Sequence, residues 1–301
     1  TAGTSMTIVG RNAGTGVLDT DAVGTVLVGF GSGAALTSGI GNVAIGYQSL
    51  DAATDSDYNT AVGTSALGAV VSSGDGRNTA VGYNAGLALN SGIKNTFVGA
   101  LAGDAMTDGH ENVIIGDNTG SVSTSVGYTV VIGQSAGAAD MTAGADGSVL
   151  IGYAAGADLT TGAYNLSVGY LAGTALTTGD GNITIGYQAG KALTLGSSNT
   201  VIGTNALVAC VGDDASNAGR YNVCVGRDTM GAANNDGHAN CEIDGNVAIG
   251  NGALYSGTLA GDKDLLGNIA IGAEAMDATA TNAQTGTIAI GYQSLTALTT
   301  G

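Results

Sequence analysis

Residues 42–50, NVAIGYQSL, recur almost unchanged as TIAIGYQSL at residues 287–295. The underlying pattern is an apolar–x–apolar–Gly string with a small residue three positions later, and it occurs sixteen times. Twelve of the fifteen intervals between the aligned glycines are 17 or 19 residues, and the other three are 22 to 24. Such a repeat predicts a solenoid in which each repeat contacts mainly its neighbours. The aligned glycines are Gly10, Gly29, Gly46, Gly63, Gly82, Gly99, Gly116, Gly133, Gly152, Gly169, Gly186, Gly203, Gly226, Gly250, Gly272 and Gly291.

We call each repeat a rung and number it from its aligned glycine, position 0. Position −1 is Val or Ile in all sixteen rungs, and position −3 is β-branched in fifteen. Residues two apart on a strand share a face, so these positions predict one apolar strand face. Position −2 is most often Ala, which makes the opposite face apolar too, as in sheets covered on both sides. One face fills the coil, and the other needs a second layer from the coil or from another subunit.

The remaining positions of the rung predict its corners. Glycine at position 0 predicts a left-handed corner or a close backbone approach. Position +3 is always Ala, Ser or Thr and position +4 always Gly, Leu or Met, which predicts a second short strand or a tight corner. Asn occupies position −4 in eleven rungs and predicts either a hydrogen-bonded Asn ladder or plain turn initiation. These residues are Asn42, Asn59, Asn78, Asn95, Asn112, Asn165, Asn182, Asn199, Asn222, Asn246 and Asn268.

Composition excludes several classes of protein. The 301 residues include 54 Gly and no Pro or Trp, yet 44% are hydrophobic, which argues against a disordered chain. The net charge is −17, from 7 basic and 24 acidic residues, so we expect no nucleic-acid partner. No apolar run approaches the ~18 residues of a membrane span, so we expect no membrane insertion. We expect one domain, 1–301, that is a segment of a longer fibre.

The motif N-x-V/T-A-I/V-G-x-x-S/A resembles the head repeat of trimeric autotransporter adhesins and related bacteriophage tail-fibre repeats. The matching residues are Asn42, Val43, Ala44, Ile45, Gly46 and Ser49, and again 246–250. The resemblance covers the whole chain. It implies a left-handed parallel β-roll with three chains per head, used for attachment, in which the Val/Ile pair lines the interior. The fold expected is therefore all-β, a parallel β-solenoid of about sixteen 17–24-residue rungs, in a homotrimer.

The three long intervals carry inserted residues at about 211–221, 231–244 and 255–266, within the region 208–267. Insertions in a solenoid map to one side and often form its binding face. The candidate recognition residues there are Asp213, Asp214, Arg220, Tyr221, Asp236, His238, Glu242, Tyr255 and Asp262. Cys210, Cys224 and Cys241 lie in the same region, either as a disulfide tying two loops or as small buried thiols.

Several other residue types could carry binding or catalytic chemistry. Tyrosine at position +1 predicts either a sugar-binding ladder or cross-rung packing, and a broken column of Thr at position +8 is a weak ice-binding signal. Acidic pairs at 55/57, 213/214 and 262/264 could cleave glycans or bind calcium. We interpret them, with His110 and His238, as solvated turn residues. We expect no catalytic residue, cofactor or metal.

Together these observations predict a non-enzymatic structural fibre protein at an extracellular, virion or cell-surface location. It would form the shaft or head of a tail fibre or adhesin, associate with itself, and bind a host-surface glycan or protein. The alternative is a filament subunit that polymerises head to tail, since the repeat runs into both ends without polar caps. A glycan depolymerase and an ice-binding solenoid are less favoured.

Overall fold

The computed structural model describes residues 5–16, 22–71, 74–208, 219–231, 243–255, 264–277 and 284–296. Within these ranges the chain is built of short parallel strands, with one 3₁₀ turn as its only helix. The prediction of an all-β parallel β-solenoid is confirmed. The chain divides into two compact units, Thr1–Gly147 and Ser148–Gly301, which we describe separately.

The described part of unit 1 has eight three-residue strands in one parallel ladder. A two-residue pair and the 3₁₀ turn Ala143–Ala145 lie outside that ladder. The ladder strands are β1 (Thr7–Val9), β2 (Val26–Val28), β3 (Val43–Ile45), β5 (Thr60–Val62), β7 (Thr79–Val81), β8 (Thr96–Val98), β9 (Val113–Ile115) and β10 (Val130–Ile132). The separate pair is β4 (Ser56–Asp57) and β6 (Gly74–Asp75).

Unit 2 has a second eight-strand ladder and a three-strand side sheet among its described residues. The ladder strands are β11 (Val149–Ile151), β12 (Leu166–Val168), β13 (Ile183–Ile185), β14 (Thr200–Ile202), β15 (Val223–Val225), β17 (Val247–Ile249), β19 (Ile269–Ile271) and β21 (Ile288–Ile290). The side sheet is β16 (Ile243–Asp244), β18 (Leu265–Leu266) and β20 (Gln284–Thr285).

The register of both ladders follows the sequence repeat. Val43 of β3 pairs with Val26 of β2 on one side and with Thr60 of β5 on the other, so equal rung positions stack. The same holds in unit 2, where Ile185 pairs with Val168 and Ile202. The longer intervals leave this register unchanged, because their extra residues fall between rather than within the ladder strands.

The interior of each rung is filled from position −2 and from the corner that follows the strand. The middle residue is buried in fifteen of the sixteen described ladder strands, Ile8 being the exception at 40% exposed. Position +4 complements it in size. Ala44 faces the interior with Leu50, whereas Leu27 faces it with Gly33, where an added Cβ would lie 2.6 Å from Leu27 Cδ2. In most rungs a larger strand residue therefore goes with a smaller corner residue.

The buried Asn column is a continuous hydrogen-bonded ladder in each unit. Asn59 donates from its backbone N and its Nδ2 to Asn42 Oδ1, at 2.9 and 3.3 Å. Asn95 makes the same pair of bonds to Asn78 Oδ1, and its Nδ2 also donates to the Gly109 carbonyl at 2.8 Å. Each such amide thus satisfies its donors and acceptor without water. The predicted ladder is confirmed.

The geometry of the corners explains why position 0 is glycine and why position +3 is a small residue. At Gly46 the φ angle is +143°, and a Cβ there would overlap the carbonyl oxygen of Gly63 in the next rung. Both predicted reasons for glycine, a positive φ and a close backbone approach, hold at this position. Gln48 and Leu50 then follow with φ of +50° and +51° around the buried Ser49. Positions +3 and +4 therefore form a tight corner and not a second strand.

Candidate functional site

Positions −3 and −1 of the ladder strands form an outward face in each unit, which we call the strand face. None of these side chains is buried in the sixteen described ladder strands. In β3, Ala44 is fully buried while Ile45 is 39% exposed and Val43 is partly exposed. This corrects the interpretation that Val43 and Ile45 line the interior and Ala44 a second packing face. The interior has room for one strand residue per rung because the corner residue at +4 takes the remaining space.

The strand face carries no charge, although the chain has a net charge of −17. All 32 of its residues in the described ladder strands are Val, Ile, Leu or Thr. With strands ~4.8 Å apart and three residues spanning about 10 Å, eight strands present roughly 400 Å² in each unit. Contiguous apolar patches of this size on a soluble monomer are often interaction sites.

Three tyrosines at position +1 of consecutive rungs in unit 2 form what we call the tyrosine strip: Tyr153, Tyr170 and Tyr187. The ring centroids of Tyr153 and Tyr170 are 5.2 Å apart with planes inclined by 12°. Those of Tyr170 and Tyr187 are 5.4 Å apart at 7°. All three residues are close to half exposed, at 46–49%. The structure therefore shows cross-rung stacking, in the offset range favoured by aromatic pairs.

Unit 1 contains a shorter aromatic stack in the same column. Phe30 and Tyr47 stack with centroids 5.4 Å apart, and the Arg11 guanidinium lies 5.9 Å from the centre of the Phe30 ring. This pair is close in geometry to each step of the tyrosine strip. It differs by having a cation over one ring, a contact that contributes on the order of 0.5–1 kcal/mol at an exposed site.

Most of the predicted recognition residues lie outside the described residues. These are Asp213, Asp214, Asp236, His238, Glu242 and Asp262. Arg220 and Tyr221 are described at the corner before β15, where the Arg220 backbone N donates to Asp244 Oδ1 at 2.6 Å. Tyr221 is 65% exposed there, with φ of +57°. Tyr255 lies elsewhere, directly after the corner that follows β17.

Tyr255 lines an open depression of about 190 Å³ together with Asp228, Asn251, Glu274 and Asp277. Burial, and then the nearby Glu274 charge, raise the pKa of the Asp277 carboxyl. The other two acids are already hydrogen-bonded, since Gln293 Nε2 donates to Glu274 Oε2 at 2.7 Å and Asn205 Nδ2 donates to Asp228 Oδ1 at 3.1 Å. Among the described residues, no group of three or more Asp, Glu, His or Cys could hold a metal ion. Arg220 and Tyr221 do not line the depression.

The other polar candidates that the structure describes have structural contacts. Asp57 Oδ1 accepts a bond from the Ile40 backbone N at 2.7 Å, and Asp55 accepts from the Thr54 hydroxyl. His110 contacts Tyr128 edge to face, with ring centroids 4.9 Å apart. At position +8, Thr37 Oγ1 donates to the carbonyl of Thr54, its counterpart one rung later, at 2.9 Å.

Of the three cysteines, Cys224 lies within the described residues and occupies the inward position of β15. It is buried, and its Sγ lies 3.2 Å from Met230 Sδ, the corner residue of the same rung. Cys210 and Cys241 lie outside the described ranges, so the disulfide between loops stays a prediction. No described residue belongs to a helix long and apolar enough to span a membrane.

A signal in the sequence could have identified the strand face. In most rungs a large residue at position −2 goes with Gly at position +4, and Ala at −2 goes with Leu or Met; Ala80 with Gly86 and Val201 with Leu207 are exceptions. Such size compensation is expected between residues that share a packed volume. Positions −3 and −1 show no such compensation. The outward direction of Val43 and Ile45 therefore follows from the sequence once the two columns are compared.

Neither a protein-family model nor a curated protein sequence matches this chain. The resemblance to trimeric autotransporter heads and phage tail-fibre repeats accordingly stays a prediction.

Proposed function

We propose that this protein is a structural, non-enzymatic fibre protein whose copies associate side by side through the strand face. The shaft or head of a virion tail fibre, or a cell-surface adhesin, is the role that suits such a fibre. The observation that carries the proposal is the outward direction of positions −3 and −1 in eight consecutive strands of each unit. Partly exposed β-branched side chains, such as Ile45 and Ile249, are repeated there with no charged residue among them.

Area and charge favour a second copy of the chain as the partner. Each unit presents roughly 400 Å² of strand face, which is about half of one side of a standard interface. Two copies that each carry 17 negative charges repel each other, and an uncharged face is the surface on which they can approach most closely. Sheets packed face to face lie about 10 Å apart, which allows β-branched side chains to interdigitate.

The regular hydrogen bonding within each ladder suits a structural role better than a catalytic one. Each rung is hydrogen-bonded to the next through its backbone and, at the buried Asn positions, through side chains such as Asn182 to Asn165. Such nearest-neighbour contacts make each ladder a regular array in which every rung is held by the rungs beside it. The homotrimer and the location at a virion or cell surface come from the repeat resemblance and are part of the proposal.

Multi-angle light scattering on the purified chain tests self-association. We expect a trimer in the wild type and monomers for Ile115→Lys, which places a charge in the strand face. Gln134→Lys adds the same charge at an exposed position outside that face and should leave the trimer intact. Circular dichroism checks that both variants stay folded.

A wild-type chain that remains a folded monomer at high concentration would refute the side-by-side association. Electron microscopy of the same sample separates the alternative. Rods of uniform length agree with a closed oligomer, whereas long unbranched fibres would favour head-to-tail polymerisation.

A further inference from the structure

We infer that the tyrosine strip, Tyr153, Tyr170 and Tyr187, is a binding site for an uncharged glycan chain that lies along the stacked rings. This inference rests on the proposed attachment role and deepens it, because it names the class of receptor and the residues that contact it. It also moves the recognition site away from the inserted loops, where it was expected, to a regular part of the solenoid.

The strip offers both kinds of contact that a sugar requires. Each ring has an apolar body and a hydroxyl, and the three residues are half exposed over three successive rungs. Gln188 adds an amide at the edge of the strip, where its Nε2 donates to the Tyr187 hydroxyl at 3.3 Å. Because each ring is stacked on its neighbour, the strip presents ring edges and hydroxyls to a ligand. A pyranose ring has the complementary surface, since its C–H groups can pack along the apolar edges while its hydroxyls hydrogen-bond to the tyrosine hydroxyls.

The charge of the strip selects a neutral ligand. Positions +1 and +2 of these three rungs are Tyr–Ala, Tyr–Leu and Tyr–Gln, so none of these six residues carries a charge. The chain as a whole has a net charge of −17, which opposes the approach of an anionic polysaccharide. No carboxylate lies at these positions to pair with a cationic ligand.

The strip is preorganised for binding. The backbone N of Leu171 donates to the Tyr153 carbonyl at 3.0 Å, and that of Gln188 donates to the Tyr170 carbonyl at 2.9 Å. Stacking further restricts the rings, so little conformational entropy remains to be lost when a ligand binds. An extended chain can contact successive rings, because the rings follow one another at the rung spacing.

Cross-rung stacking by itself would give the same ring geometry without a ligand, and the Phe30–Tyr47 pair provides the matched control. That pair has the same spacing but only two rings, and Arg11 lies over one of them. Tyr47→Ser removes one stacked pair and Tyr170→Ser removes two, so Tyr170→Ser should cost somewhat more stability. Only Tyr170→Ser interrupts the three-ring strip.

The experiment measures binding of cellohexaose, chitohexaose and hyaluronan to the full chain by saturation-transfer NMR and calorimetry. We expect at least one of the two neutral oligosaccharides to bind the wild type and hyaluronan not to bind. Tyr170→Ser should lower the affinity about tenfold, because it removes the central ring and leaves a gap in the contact surface. Tyr170→Phe, which keeps the stack, should lower it less, and Tyr47→Ser should leave it unchanged.

The inference is overturned if neither neutral oligosaccharide binds, if hyaluronan binds as well as they do, or if binding survives Tyr170→Ser. Equal loss in Tyr47→Ser would also overturn it, since that result would reflect general destabilisation. Light scattering on the same samples gives the oligomeric mass. Loss of glycan binding with an unchanged mass separates failure of the strip from failure of the proposed fibre.

Discussion

Replacing Asn182 with alanine tests whether the buried Asn ladder holds the rungs together. Its Oδ1 accepts bonds from the Asn199 backbone N and Nδ2, both at 3.0 Å. Its Nδ2 donates to Asn165 Oδ1 at 3.1 Å and to the Gly196 carbonyl at 2.8 Å. In Asn182→Ala, two donors of Asn199 and the Gly196 carbonyl lose these bonds. Each buried unsatisfied group costs about 1–3 kcal/mol, which gives about 3–9 kcal/mol in total. Water entering the vacated space would place the loss at the lower end.

The assay combines urea unfolding with hydrogen exchange read by mass spectrometry, because repeat arrays need not unfold in one step. Exchange should rise in the rungs that contain Asn165 and Asn199 before it rises elsewhere. Asn90→Ala is the control, since Asn90 is exposed and lies outside the ladder. A loss below about 1 kcal/mol for Asn182→Ala, the contribution of one ordinary hydrogen bond, would refute the ladder as a stabilising column.

Three further predictions follow from the rung geometry. Ala44→Asp buries a carboxyl group, which must take up a proton, and should cost at least about 2–7 kcal/mol. Ile45→Asp lies on the strand face and should cost about 1 kcal/mol, both measured by thermal melts in the monomeric Ile115→Lys background. A larger loss of stability for Ile45→Asp than for Ala44→Asp would mean that Ile45, and not Ala44, faces the interior. Gly46→Ala combines a strained φ with overlap of the next rung and should cost about 2–6 kcal/mol. At Gly286, where φ is +65° but nothing lies within 4 Å of an added Cβ, alanine should cost about 1–2 kcal/mol. Burial raises the pKa of the Asp104 carboxyl, so its protonated form is favoured in the folded state. Stability is then lost as pH rises through that pKa, and urea melts at acidic pH should show higher stability than at pH 7, with a weaker trend in Asp104→Asn.

The repeat, the parallel register and the Asn column could be predicted from the sequence alone. Each of these depends on one position that keeps its chemical character in rung after rung. Asn42 and Asn59 are separated by one rung interval, and in a parallel ladder equal positions stack. The register followed for the same reason, because the aligned glycines mark equivalent points of the coil.

The direction of the strand residues was not predicted correctly because both faces are apolar. Val43, Ala44 and Ile45 would each be accepted in a core by composition alone. The family resemblance placed the larger residues inside. The coil interior is instead too narrow for two large residues per strand once Leu50 enters it from the corner. Only the size relation between positions −2 and +4 contains this information.

Side-chain stacking in the tyrosine strip was one of two open alternatives, and spacing along the chain could not decide between them. Equal positions of successive rungs approach to about 5 Å only when the intervening corners have the same conformation. That equality is a property of the folded backbone, as the matching φ values of Leu171 and Gln188, +54° and +55°, show.

The complementary sizes at positions −2 and +4 determine which rungs can be added to the solenoid or removed from it. A rung that balances its own interior volume, as Ala44 does with Leu50, can be duplicated or deleted whole without leaving a void in its neighbours. A rung whose interior is partly filled by a side chain of its neighbour cannot be duplicated or deleted alone. Ala80 is matched with Gly86, and Phe97 of the following rung fills the shared space, 2.8 Å from where a Cβ on Gly86 would lie. Removing only one of the rungs of Ala80 and Phe97 would therefore leave a void or an overlap, whereas a self-balanced rung can be added or removed without either.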